Sequence, residues 1–127
     1  MVARGDIRDW AKAEESKCNW SWLELAWGGT KISPSDIDFV VERNGRFLFF
    51  EVKPTRAEAI GSRGQEILFT RLAALPNVTA GYLVGDIVDH EITPLEICIV
   101  GREWQPIDRG GFLTYCGRWY AWADGAR

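Results

Sequence analysis

The dipeptide Asn44-Gly45 constrains the fold of this chain more than any other feature, because it separates two strand-like runs. Both central positions of a two-residue hairpin turn need positive φ, which asparagine and glycine adopt most readily. The flanking runs, DIDFVVER and RFLFFEVK, are rich in β-branched and aromatic residues. The sequence therefore predicts a β-hairpin in which Arg43 pairs with Arg46 and the register continues outward from that pair.

This register places four ionisable side chains at the open end of the hairpin. It sets Asp38 against Glu51 and Asp36 against Lys53, and alternation along each strand directs all four from one face. Directly opposed residues have Cβ atoms roughly 4.5–5.5 Å apart, so the two opposed carboxylates repel each other unless something positive lies between them. A divalent cation would meet that need.

The alternative is an ordinary polar face, on which Asp36 and Lys53 form an ion pair while Asp38 and Glu51 point to solvent. The apolar residues of the hairpin argue against it. The charged face continues with Val40, Phe47 and Phe49, and the other face consists of Ile37, Phe39, Val41, Leu48, Phe50 and Val52. We therefore expect both faces to be covered, with the charges at the end of a sheet packed on two sides.

The rest of the chain predicts an α/β fold with a mixed β-sheet flanked by helices, in a single domain over residues 1–127. A length of 127 residues with 46% hydrophobic content suits one core. Thr55 and Glu58 form a capping-box pattern that opens a helix to about Leu75. The other predicted elements are a helical region over 6–27 ending at Gly28-Gly29, a strand at TAGYLVGD, and strands over 95–103 and 112–123 with a turn near Cys116-Gly117.

Composition limits the class of protein. No apolar run is long enough to span a membrane, and the first residues lack a signal-peptide pattern, so we expect a cytoplasmic protein that does not bind membranes. The three cysteines are far apart, which favours reduced thiols over disulfides or a zinc site. The net charge of −3 lacks the basic excess of non-specific nucleic-acid binders, although local arginines can still hold phosphates.

An Asp followed by Glu51-Val52-Lys53 on a hairpin resembles the PD-(D/E)XK nuclease superfamily, which includes restriction enzymes, junction resolvases and small virus-type replication and repair nucleases. The resemblance covers residues 24 to about 84 and implies a restriction-endonuclease-like core. It implies that Asp38, Glu51 and the backbone carbonyl of Val52 bind Mg²⁺, with Mn²⁺ able to substitute. It also implies catalytic roles for Asp38, Glu51 and Lys53, the lysine acting on the attacking water or the transition state.

The literal Pro-Asp of the family pattern is replaced here by Pro34-Ser35-Asp36-Ile37-Asp38, so Asp36 competes for the aspartate role. We favour Asp38 because it lies opposite Glu51 in the hairpin register, with Asp36 supporting the ligands from behind.

Two further residues complete the predicted site. Gln65 is a catalytic candidate, since it heads a helical stripe with Leu68, Phe69 and Leu72 that should pack on the sheet, and virus-type members of the family place a Gln there. The alternative is a glutamine in water at the helix edge. Glu24 is a candidate metal ligand from a helix before the hairpin, unless it caps its own helix together with Ser21.

Substrate contacts are predicted at Arg56, Ser62 and Arg63, which follow Lys53 and could hold phosphates, although such residues commonly form a solvated face. The C-terminal part is rich in tryptophan and tyrosine interleaved with arginine. Three uses remain open for it: stacking on unpaired bases, filling the core, and forming a subunit interface.

The sequence thus predicts a metal-dependent nuclease that hydrolyses DNA phosphodiester bonds. One form of this prediction is a nuclease selective for DNA structure, such as a junction resolvase. A domain of this size has little surface with which to grip a duplex, and a homodimer or a protein partner would supply the rest. The alternative function is a catalytically silent binding or inhibitory subunit that keeps the nuclease fold.

Overall fold

The computed structural model describes residues 19–29 and 34–126, and its contacts divide the chain into two compact units, 1–35 and 36–127. In the described part of the first unit, a 3-10 helix, Ser21–Leu25, precedes a turn. Gly28 and Gly29 there have positive φ, as a helix end requires, while residues 6–18 of the predicted helix lie outside the described part. No helix of the described residues has the length and apolar character needed to cross a membrane.

The second unit confirms the predicted α/β architecture with a mixed sheet flanked by helices. Its five strands are β1 (Phe39–Arg43), β2 (Arg46–Lys53), β3 (Val78–Val88), β4 (Glu91–Ile99) and β5 (Gln105–Pro106). Its three helices are α1 (Arg56–Ile60), α2 (Arg63–Ala73) and α3 (Arg109–Asp124). The strands lie in the order β1-β2-β3-β4-β5, with β2 and β3 parallel and the other neighbours antiparallel.

The β1–β2 hairpin forms as predicted. Asn44 and Gly45 have φ of 53° and 79°, and the ladder runs from Arg43–Arg46 to Phe39–Phe50. The ladder stops there, so the residues before Phe39 are not paired with β2 as strand. The end of β2 instead pairs with β3 alone, which leaves one side of it open to the acidic segment before β1.

The single helix predicted from Thr55 to Leu75 is wrong, because the chain breaks at Gly61 into α1 and α2. Gly61 has a φ of 67°, a conformation that side-chain-bearing residues rarely adopt. Each piece has its own cap: the Thr55 hydroxyl accepts from the Glu58 amide, and the Ser62 hydroxyl accepts from the Gln65 amide.

The strand predicted over 112–123, with a turn near Cys116-Gly117, is also wrong: this segment is the helix α3. Aromatic residues favour strands by propensity, but helical spacing decides here. The residues that turn inward recur at helical intervals: Phe112, Tyr115, Cys116, Trp119 and Ala123. The helix begins where the Asp108 carboxylate accepts a hydrogen bond of 2.7 Å from the Gly111 amide.

Helices cover both faces of the sheet, as expected from the two-sided hairpin. On one face α3 packs over Leu48, Phe50 and Leu83, and on the other α1 and α2 pack over Tyr82 and Val84. Ile37 was predicted to lie on the first face but packs with the second cluster. The reason is that side chains alternate strictly between the two faces only within a strand, and Ile37 precedes the start of β1 at Phe39.

Replacing Asp108 by alanine removes the N-cap of α3, so we expect the free energy of unfolding to fall by about 1 kcal/mol. Asp108→Asn keeps an equally good capping oxygen and should unfold like the unchanged protein. Urea unfolding followed by circular dichroism measures both variants. An equal loss in the two would mean that the charge of Asp108, rather than its cap, supports α3.

Candidate active site

The candidate active site lies where the β1–β2 hairpin opens. Glu51 and Lys53 are two residues apart at the end of β2, so both side chains leave the same face of the sheet. Asp38 directly precedes β1 and, because Phe39 pairs with Phe50, lies beside Glu51. The three residues of the sequence motif are thus brought together.

Asp38 is the centre of the contacts in this site. Its Oδ2 accepts hydrogen bonds from Lys53 Nζ at 2.8 Å and from the Val52 backbone amide at 3.0 Å, and its own amide donates to Glu51 Oε1 at 3.3 Å. Lys53 Nζ is 3.9 Å from Glu51 Oε2, so the lysine lies against both carboxylates. The sequence register pairs Lys53 with Asp36, but the β1–β2 ladder ends before it reaches Asp36. Lys53 forms an ion pair with Asp38 instead.

Glu51 is a buried carboxylate, with a relative exposure of 1%. Burial raises its pKa, and the nearby charge of Asp38 raises it further. Burial acts to lower the pKa of Lys53, but the hydrogen bond and charge of Asp38 outweigh it, so the pKa of Lys53 is raised. Lys53 therefore stays protonated near neutral pH and is a cation beside both carboxylates.

Gln65 reaches this site from the first turn of α2. Its Nε2 donates a hydrogen bond of 3.3 Å to Glu51 Oε2, while Leu68, Phe69 and Leu72 of the same stripe pack toward the sheet, as predicted. The break at Gly61 makes this contact possible. A Cβ at position 61 would lie 2.1 Å from the Gln65 side-chain oxygen, so a larger residue there would force the amide of Gln65 to shift.

The donor set fits a hard divalent cation. Asp38 and Glu51 supply carboxylate oxygens, and the carbonyl of Val52 points to the same side of β2 as its amide, which is bonded to Asp38. Mg²⁺ prefers such oxygens and keeps several waters, so two carboxylates and one carbonyl suffice to hold it. Among the residues that the structure describes, no cluster of three or more His, Cys, Asp or Glu side chains forms around a common point.

The predicted substrate-binding residues are less available than the sequence implied. Arg56 forms a two-point ion pair with Glu96 and lies 4.9 Å from the ring centre of Trp104. The Ser62 hydroxyl caps α2. Arg63 has a highly exposed side chain, 3.7 Å from Glu66. Their roles toward a phosphate remain predictions.

Glu24 belongs to the first unit, in its 3-10 helix, and is exposed there. The capping-box alternative with Ser21 is not observed, since the helix follows Trp20 without a side-chain cap. The predicted role of Glu24 as a metal ligand stays a prediction.

Tyr82 is a neighbour of the site that the sequence did not reveal. It pairs with Glu51 across β2 and β3, is 6% exposed, and stacks on Phe69. It therefore forms an apolar wall beside the buried carboxylate. The only signal for it was its place in the run TAGYLVGD, and the parallel register that aligns this run with β2 cannot be read from a single sequence.

Comparison of the chain with protein-family models, curated proteins and solved structures found no match. The family resemblance therefore depends on the motif itself, from Asp38 to Glu51-Val52-Lys53. The structure adds contacts that the motif does not require, namely the burial of Glu51 and its hydrogen bond with Gln65.

Glu51→Gln should stabilise the metal-free protein at neutral pH. Because the folded state raises the pKa of Glu51, the ionised form costs stability, and this cost grows as pH rises above the ordinary value of 4.5 and is complete above the raised pKa. The stability gained by the variant should therefore increase with pH over that window in unfolding experiments with a chelator. Glu66→Gln, at an exposed position of α2, is the control and should show no such trend; a trend equal to that of Glu51→Gln would contradict the assignment.

Gly61→Ala should destabilise the protein by about 1 kcal/mol or more, because alanine is strained at this positive φ and its Cβ meets Gln65. Gly64→Ala is a matched control three residues away, where a Cβ meets only the Ser62 hydroxyl at 3.8 Å, and it should be neutral or stabilising. Chemical denaturation compares the two. Equal effects would mean that Gly61 does not position Gln65.

Proposed function

We propose that this chain is a metal-dependent nuclease that hydrolyses DNA phosphodiester bonds. The observation that carries the proposal is the buried Glu51, held beside Asp38 and Lys53 at the end of β2. Lys53 contacts both carboxylates, yet burial and the charge of Asp38 still raise the pKa of Glu51, and a divalent cation held by the pair would offset the remaining cost.

The chain's own residues divide the work. Asp38 and Glu51, with the carbonyl of Val52, hold Mg²⁺ or Mn²⁺. Lys53, a fixed cation in contact with Asp38, offsets negative charge that develops on the phosphate. Gln65 orients Glu51 through the hydrogen bond that its amide donates to Oε2.

The bound metal would supply a water of lowered pKa and neutralise charge on the phosphate. The protein must keep that water close to the phosphate and shield the site from the side of the sheet. The apolar wall of Tyr82 and Phe69 provides this shielding beneath Glu51.

The same motif supports placing the chain in the PD-(D/E)XK superfamily with a restriction-endonuclease-like core. The mixed sheet, with a hairpin whose second strand continues beside a parallel strand after two helices, is compatible with such a core. Cleavage selective for branched DNA, and assembly as a homodimer or with a protein partner, remain forms of this proposal.

One observation favours the second candidate, a catalytically silent binding or inhibitory subunit. Within the described ranges, the ion pair between Lys53 and Asp38 closes part of the site and no third acidic side chain joins the two carboxylates. Calorimetric titration with Mg²⁺ and Mn²⁺ distinguishes the two functions. Binding at millimolar metal that is lost in Asp38→Asn and Glu51→Gln supports the nuclease, and no binding supports the silent subunit.

Cleavage is the direct test. We expect the protein to cut at least one of four DNA substrates, linear duplex, single strand, flap and four-way junction, with Mg²⁺ or Mn²⁺. Glu51→Gln and Lys53→Met should each lower the rate by about a hundredfold or more, because one removes a ligand charge and the other a fixed cation.

The matched control is Asp89→Asn, which removes an exposed carboxylate from the turn between β3 and β4, five residues beyond Val84, the partner of Lys53; asparagine also tolerates the positive φ there, and this variant should cut like the unchanged protein. Cutting that persists in Glu51→Gln would show that the activity comes from elsewhere. A folded protein that binds metal but cuts none of the four substrates would shift the proposal to the silent subunit.

A further inference from the structure

A second concave site lies on the other face of the sheet from Glu51. A cavity of about 340 Å³ opens between α3 and the start of β3 and is lined by Thr79, Tyr115, Arg118, Trp119 and Trp122. Thr79 pairs with Leu48, whose side chain is in the core beneath α3, so the cavity belongs to the α3 face. Glu51, by contrast, contacts Gln65 of α2 on the opposite face.

A neighbouring cavity of about 370 Å³ shares Tyr115 and Arg118 with the first and adds Arg102 and Gln105. Together these two cavities are called the α3 groove. Each is within the size range of small-molecule sites in proteins. The groove therefore combines aromatic rings with two guanidinium groups in a continuous set of lining residues.

The arginines of the α3 groove are available for an anion. Arg43 and Arg56 are already neutralised by Asp124 and Glu96, whereas no carboxylate of the described residues forms an ion pair with Arg102 or Arg118. Glu103 also lines the second cavity, so the groove is not uniformly positive. Arg102 and Arg118 line this cavity together with Tyr115.

Two tryptophans of the groove offer different contacts to a ligand, Trp122 a ring face and Trp119 a hydrogen-bond donor. The guanidinium of Arg46 lies 3.6 Å from the ring centre of Trp122 and donates to its backbone carbonyl, which fixes one face of a half-exposed indole. Trp119 is 7% exposed, and its buried Nε1 donor has no hydrogen-bond partner among the described residues. An unsatisfied buried donor beside a cavity is costly and indicates a missing acceptor.

Rings for stacking, guanidinium groups for a phosphate and a free donor match one chemical class, a nucleotide with an accessible base. Bases in a duplex are stacked inside it and cannot enter a recess. We propose that the α3 groove binds an unpaired nucleotide of a single-stranded nucleic acid, with the base against Tyr115 and Trp122 and the phosphate at Arg102 and Arg118. This proposal rests on the proposed function for the identity of its ligand, but not on cleavage.

The test measures binding of a fluorescent oligothymidylate of about 20 nucleotides by anisotropy, with a chelator present so that no metal-dependent cutting occurs. Arg118→Gln should weaken binding about fivefold to tenfold and reduce its salt dependence. Arg109→Gln removes the same charge from the first turn of the same helix, outside the groove, and should have little effect.

A second pair of variants tests stacking. Trp122→Leu should weaken binding by about fivefold or more, whereas Tyr120→Leu, two residues away on α3 and outside the groove lining, should not. Thermal unfolding of each variant shows whether it is folded. If Trp122→Leu fails to fold, the comparison of Arg118→Gln with Arg109→Gln still tests the groove.

The outcomes separate this proposal from the nuclease. Single-strand binding lost in Arg118→Gln and kept in Arg109→Gln supports the groove even if nothing is cut, and an equally strong effect with oligouridylate extends it to RNA. Equal losses in Arg118→Gln and Arg109→Gln, tighter binding of duplex than of single strands, or no binding of single strands would each overturn the groove. Metal-dependent cutting in any of those cases would leave the proposed nuclease standing.

Discussion

The burial of Glu51 is the constraint around which the second unit is arranged. A carboxylate at 1% exposure needs donors and a compensating charge, and each neighbour supplies part of this. The backbone of Asp38 and the amide of Gln65 donate to its two oxygens, and Lys53 lies 3.9 Å away. These partners come from three parts of the chain: the segment before β1, the strand β2 and the helix α2. The site therefore forms only when all three are assembled. The pKa of Glu51 is nevertheless raised, chiefly by burial and then by the charge of Asp38, so these partners do not fully offset the cost of ionising it.

The sheet explains why the incomplete compensation occurs at this place. In the middle of β2, residues such as Phe50 are flanked by β1 and β3 and covered by helices, so no water or ion can reach them. At its end the β1 ladder has stopped, and one side of the strand is open while β3 still covers the other. A carboxylate here is buried, and on the side of β1 its neighbour is Asp38, whose side chain is partly exposed.

The parts of this arrangement that depend on local chemistry could be predicted from the sequence. Asn44-Gly45 determines its turn, the turn determines the register, and the register brings Asp38 to Glu51. The failures depend on non-local packing. In the sequence, Gly61 is an isolated glycine within a helical pattern, and the break there becomes evident only from the structure, where Gln65 occupies the adjacent space. The segment of α3 is rich in aromatic residues and so resembles a strand, and its helical form becomes evident only from the packing of Trp119 in the core. A strand that follows a helix is expected beside β2, and β3 pairs there, but the register that places Tyr82 beside Glu51 has no sequence signal of its own.

A net charge of −3 argues against non-specific binding of nucleic acid over a large surface, but it does not argue against a local site that binds it. Two cationic side chains near the site are already paired with carboxylates: Arg56 with Glu96, and Lys53 with Asp38. Arg102 and Arg118 form no ion pair with a carboxylate of the described residues, and the α3 groove that they line is on the opposite face of the sheet from Glu51. If the proposed nuclease site and the proposed groove belong to one function, binding and cleavage would occur on opposite faces of the sheet. A substrate that used both faces would have to be flexible over a short length, which favours single strands over stiff duplexes.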